Sequence, residues 1–366
     1  MNEKRLVVAA FGVVLAVGIG FIAYRFVAAL TVSVFLYYST RKYYKTLRRL
    51  RIPARLRAVV VLASLAVPLL LLITYTLVLL VIETRRFINQ SALIDVAAAN
   101  VGWFGGVESI PEFTIGGIYR AYRVGELDVF IDFASQNAPY LTDLVSSFFL
   151  NLFVVVVVTY YLLIDGERIR RWLLRFDDDA IVREYLEAVD AELEAVLFGN
   201  LLNVIAVSLI AIAAFQGYNT FAPVAAQVPY PTLAGALTGV ASLVPVVGMK
   251  IVYVPLAGFA ALPNLLGANP SALVYVGGFL VVAVVVVDTI PDLLLRPLLS
   301  GKTTHVGLLM LAYTLGPVVL GFYGLFFAPI VLVVALTFAD TALPRLLGAE
   351  EEDDGLHRNQ MHLGDF

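Results

Sequence analysis

The sequence predicts an all-α polytopic membrane protein of about eight transmembrane segments. Two of them, in the C-terminal half, are broken by proline and glycine, and amphipathic helices lie outside the membrane. Three observations carry this. Of 366 residues, 60% are hydrophobic and 14% charged, against roughly 45–50% and about 25% in a soluble domain. A mean hydropathy of +0.89 over the whole length is too high for one anchor on a soluble body. Apolar runs near the roughly 20 residues that cross about 30 Å of hydrocarbon recur along the chain.

The segments follow in order. Residues 1–40 read as an N-terminal hairpin, with spans at Leu6–Tyr24 and Phe26–Tyr38 on either side of Arg25. Residues 41–57 hold eight Lys/Arg and no acid, which the positive-inside rule places in the cytoplasm. The third span is 58–82. Residues 83–145 have no long apolar run, but Val129, Phe130 and Phe133, and then Leu141, Leu144 and Val145, alternate as in amphipathic helices at the external face. Residues 146–164 return inward. In 165–196, Asp177, Asp178 and Asp179 supply N-cap acceptors. Val182, Leu186, Val189, Leu193 and Val196 then form one apolar stripe that runs into the fifth span. Residues 197–342 form the C-terminal core, and 343–366 an acidic cytoplasmic tail.

That core is organised differently from the N-terminal half. An apolar stretch from Thr232 to Leu262 is interrupted at Pro245-Val246-Val247-Gly248, and another from Val306 to Phe338 at Gly316-Pro317-Val318-Val319-Leu320-Gly321. Proline removes a backbone donor, and glycine takes dihedrals other residues avoid. Paired interruptions of this kind point to the binding site of a secondary transporter. Gly235 with Gly239, and Gly321 with Gly324, are spaced for close helix approach. Asp288, Asp292 and Arg296 fall at four-residue spacing, an acid–acid–base row on one face of a helix. Carboxylates inside a membrane tend to mark ion or proton paths. Lys250 is a solitary charge at the first break. Asn200 and Asn203 share a face of the fifth span, where helix–helix hydrogen bonding or a pathway lining accounts for them.

The composition also excludes. A net charge of −3 argues against nucleic acid and leaves the lipid bilayer as the partner. The absence of cysteine, with two of three histidines (His357 and His362) in the tail, leaves no expectation of a metal or cofactor. Neither a Gly-x-Ser-x-Gly nor a His-Glu-x-x-His motif nor a phosphate-binding loop is present, so no enzyme is expected. A scaffold or regulatory membrane protein is the alternative to transport.

The run from Asp288 through Pro291, Asp292, Arg296-Pro297-Leu298 and Gly301-Lys302 resembles a motif of the autoinducer-2 exporter family. So do Gly316…Gly321-x-x-Gly324…Ala328-Pro329, the break Val244-Pro245…Gly248, Gly199-Asn200, and Tyr160-Tyr161-Leu162-Leu163 with Asp165-Gly166. The layout is similar over nearly the whole chain, and the motifs are specific from about Tyr160 to Pro329. The resemblance implies a homo-oligomeric secondary transporter with both termini cytoplasmic, in the cell membrane. It also implies hinge roles for Pro245, Gly248, Pro297, Gly301, Gly316, Pro317, Gly321, Gly324 and Pro329. The family is named for export of a small signalling molecule, and other members exchange sodium or lithium for protons. Coupling roles are therefore expected of Asp288, Asp292, Arg296, Lys250, Asn200 and Asn203. Pro291 and Lys250 depart from the family pattern.

Overall fold

A computed structural model describes residues 3–68, 71, 135–173, 180–245, 247–265, 271–295 and 305–347. Among these there is no strand. The helices are α1 (Glu3–Arg25), α2 (Val27–Leu47), α3 (54–68), α4 (Ala138–Leu173), α5 (Ala180–Phe221), α6 (Pro231–Ala241), α7 (Gly248–Leu265), α8 (Ala272–Leu294), α9 (Val306–Leu320) and α10 (Gly324–Leu346). Four, namely α4, α5, α8 and α10, are long and apolar enough to cross a membrane, or five if α1 with α2 counts as one broken span. The chain is thus an all-α polytopic membrane protein.

It divides into two compact units, Met1–Val61 with Val157–Phe366, and Leu62–Val156. The described part of the second unit is residues 62–68, 71 and 135–156, all helical or turn. Residues 83–134 of the predicted amphipathic stretch 83–145, most of the predicted third span after residue 68, the aspartates at 177–179 and the tail from 348 lie outside the described residues.

In the first unit the helices differ from the sequence reading in informative ways. Helices α1 and α2 meet at Phe26 with a bend of 79° rather than folding back as a hairpin. The backbone bonds from Phe26 N to Ile22 O and from Leu30 N to Phe26 O run through that bend. Helix α2 carries on through Arg41 and Lys45, so the basic stretch begins as helix and turns only at Arg48–Arg51. The amphipathic stretch does run on into the fifth span: the two are one helix, α5, of 42 residues, about 63 Å at 1.5 Å per residue. It therefore projects beyond any bilayer. It remains helical to Phe221.

One face of α5 is buried at Leu193, Val196, Leu197, Asn200, Asn203, Val207, Ala211 and Phe215, the three–four spacing of a helical stripe. Its lower part packs with Phe35, Leu309, Tyr313, Leu325, Phe326 and Val333. Its upper part packs with Met249, Tyr253, Val276, Phe279, Ala283 and Val287. The two asparagines fall between these clusters. Helix α6 lies against α5 at very short range: a Cβ at Gly235 would strike the Ile212 backbone, and one at Gly239 would strike Ser208. The predicted small-residue crossing is therefore formed.

Both breaks are present, and backbone hydrogen bonds run through each among the described residues. After α6 the turn bonds run from Ser242 N to Thr238 O, Val244 N to Ala241 O and Gly248 N to Val244 O. Helix α6, with 11 residues, is about 17 Å long, half a bilayer. The second break starts later than the sequence suggested. Gly316 and Pro317 are inside α9, and the chain turns at Gly321, whose φ of +75° suits glycine. There Gly321 N bonds Pro317 O and Gly324 N bonds Gly321 O. A Cβ on Gly316 would sit on the Gly324 carbonyl oxygen, and one on Gly324 on that of Gly316. Gly316→Ala is expected to destabilise by about 1–3 kcal/mol, the cost of overpacking, and to lower the melting temperature in detergent. Gly12→Ala, with nothing within 4 Å of the added atom, is the neutral control.

Candidate functional site: a buried ion pair at the first break

Helix α7 begins at Gly248, so Lys250 lies in its first turn and Tyr253 follows three residues later on the same face. Opposite them, α8 leaves α-helical geometry. Residues Ala283–Thr289 and Pro291–Leu295 form wide π turns. The Thr289 hydroxyl donates to the Val284 carbonyl, five residues back, at 2.7 Å. Pro291 has no N–H to give the preceding turn, and wide turns of this kind recur at functional sites. The predicted acid–acid–base row assumed α-helical spacing. Its two acids lie in the two π segments, Asp288 in the first and Asp292 in the second. Asp288 sits inside a continuous 23-residue helix.

The consequence is a convergence across 38 residues of sequence. Lys250 Nζ lies 2.5 Å from Asp288 Oδ2. The Tyr253 hydroxyl donates to the same oxygen at 2.9 Å. The Asp288 side chain is 7% exposed and that of Lys250 43%. Neighbouring Val287, Met249 and Ala283 are fully buried. A charged carboxylate is held in this apolar setting because a cation and a phenol meet it; alone it would be prohibitively costly.

Of the other predicted residues, Asp292 is half-buried in the second π segment. Arg296, Pro297 and Gly301 lie outside the described residues. Asn200 and Asn203 are buried on α5, which packs against the π segment that carries Asp288. Asn200 Nδ2 and both amide atoms of Asn203 have no hydrogen-bond partner among the described residues. The helix–helix bonds expected of such amides form elsewhere: Gln216 Nε2 donates to Thr232 Oγ1 at 2.9 Å, while Asn151 bonds its own helix at Ser147 O. Pro245 and Gly248 frame the first break, and a Cβ at Gly248 would strike the Ala241 carbonyl. Pro329 is buried inside α10.

Two features escaped the sequence. Tyr253 is one; its i+3 relation to Lys250 was the available signal. The other is a second ion cluster where α2 meets α5. Arg41 makes a two-pronged pair with Asp190, Nη1–Oδ1 2.6 Å and Nη2–Oδ2 2.8 Å. Its Nε lies 2.8 Å from Glu194 Oε2. Tyr38 donates to Asp190 at 3.1 Å, and Lys45 lies 3.2 Å from Glu194.

Broken helices around a buried carboxylate–ammonium pair, in a chain of long apolar helices, define a polytopic membrane protein of the transporter class. Comparison with known proteins makes the assignment specific. Residues 6–343 match the AI-2E family transporter, and the chain belongs to that family. Three archaeal relatives are each named as transport proteins. That of Archaeoglobus fulgidus is 25% identical over 84% of this chain and 86% of its own length. That of Methanothermobacter thermautotrophicus is 28% identical over 67% and 69%. That of Methanocaldococcus jannaschii is 26% identical over 56% and 58%.

Proposed function

We propose that this membrane transporter is a secondary one, moving a monovalent cation or a small solute in exchange for protons, and that Asp288 is its coupling group. The observation that carries this is the ion pair itself. A buried carboxylate already binds one monovalent cation, the Lys250 ammonium, and intramembrane carboxylates tend to serve ion or proton paths. Asp292 and Arg296 extend the polar stretch along the chain. Asn200 and Asn203 supply uncharged polar groups on the adjoining helix. The breaks at Pro245–Gly248 and Gly321–Gly324 act as hinges, with Pro297, Gly301 and Pro329 as lesser ones. The chain does its work by transport and not catalysis. It resides in the cell membrane as a homo-oligomer, with both termini cytoplasmic, an orientation supported by the basic stretch 41–57.

The test is reconstitution in liposomes containing a pH-sensitive dye. A proton gradient is imposed, and sodium, lithium or potassium is added outside. The expected outcome is collapse of the gradient with one or more of these cations. No collapse with any of the three would overturn cation exchange and turn the search to small organic solutes.

A further inference from the structure

We propose that Lys250 is a tethered cation that occupies Asp288 when the transported ion is absent and must be displaced for that ion to bind. This rests on the reading of Asp288 as the coupling group and states how that group is regulated.

Three observations support it. First, the position of Lys250 is unfavourable for a cation without a carboxylate partner. It is the third residue of α7, at the helix end that carries positive partial charge and repels a cation. Asp288 is what compensates it there. Second, the pair is lopsided. Asp288 is fixed among buried residues on a wide turn, whereas Lys250 reaches in from the surface, 43% exposed, on a flexible four-carbon stem. It is able to withdraw and keep its charge solvated at the exterior, and Asp288 is unable to follow. Third, Lys250 and Tyr253 both meet Oδ2. Asp288 Oδ1 receives no hydrogen bond among the described residues, so an arriving ion has a free carboxylate oxygen. Tyr253 holds the other oxygen while the ammonium leaves.

Charge follows directly. The resting site is neutral, Asp288 minus and Lys250 plus. With an ion bound and Lys250 withdrawn, the site is neutral again, and the ammonium charge has moved outside it. Without Lys250 the empty site would be negative and the loaded site neutral. Lys250 therefore lowers affinity for the ion by occupying its place.

The experiment measures sodium-22 uptake into proteoliposomes by wild type, Asp288→Asn, Lys250→Met and Lys250→Arg. Lys250→Met, similar in length and uncharged, is expected to lower the KM for sodium at least tenfold. A gain of affinity is not what structural damage produces. Lys250→Arg, with a two-pronged grip on the carboxylate, is expected to raise KM. If wild type takes up no sodium, or Asp288→Asn keeps the wild-type KM, the underlying reading of Asp288 fails and this inference with it. If Asp288→Asn abolishes uptake while Lys250→Met leaves KM unchanged, the inference alone is overturned. Should Lys250→Met fail to yield monodisperse protein, Lys250→Arg decides: a raised KM supports competition, an unchanged one refutes it.

Discussion

Asp288→Asn is expected to reduce cation-coupled proton flux about a hundredfold or more while the protein inserts and purifies normally. Asparagine keeps the shape of the side chain and can still accept the Tyr253 hydroxyl now bound at 2.9 Å. It removes the charge that holds Lys250 and the group that takes up a proton. With no group left that can release a proton and take a cation in its place, coupled flux falls toward background; a hundredfold loss corresponds to about 2.7 kcal/mol at 1.36 kcal/mol per tenfold in rate. Asp288→Glu retains the charge but moves it by one methylene, and is expected to keep part of the flux. The measurement is the dye collapse in liposomes at equal protein incorporation. Wild-type flux from Asp288→Asn would remove Asp288 from the mechanism and leave its ion pair a structural one.

How legible was this site in the sequence? The apolar runs and their two interruptions were plain, because a bilayer permits only a few ways to hide a backbone. The first break falls where proline and glycine placed it, between Ala241 and Gly248. The second does not. Pro317 is carried inside α9 and the turn waits for Gly321, since proline removes one hydrogen bond whereas a positive φ calls for glycine. The wide turns around Pro291 were not legible, because periodicity counts residues and assumes one helical pitch. Lys250 and Asp288 were each singled out, but their pairing spans 38 residues. Only the packing of α7 against α8 creates it. Asn200 and Asn203 were placed on one face correctly. Their missing partners depend on two hydrophobic clusters meeting at that height, which no pattern along α5 specifies.

The same limit hid a buried arginine that ties α2 to α5. Arg41 is one of eight basic residues in an apparently solvated stretch, yet its side chain is 9% exposed and Lys45, one turn on, is 46% exposed. Its guanidinium grips Asp190 at two points and Glu194 at a third. The Tyr37 and Tyr38 rings lie 5.7 and 5.8 Å from its central carbon. The two carboxylates are four residues apart on α5, so they repel each other once the arginine is gone. Arg41→Met is expected to destabilise by about 3–5 kcal/mol, the cost of stranding buried charge. The melting temperature in detergent should fall by roughly 10 °C. Lys45→Ala, at a half-exposed pair, is expected to cost under about 1 kcal/mol. The decisive variant adds Asp190→Asn and Glu194→Gln to Arg41→Met. If the penalty is stranded charge, neutralising both carboxylates restores much of the lost stability, because contacting residues do not contribute additively. If the triple variant melts as low as the sum of its parts, the arginine acts through packing alone, and the tie between α2 and α5 is apolar.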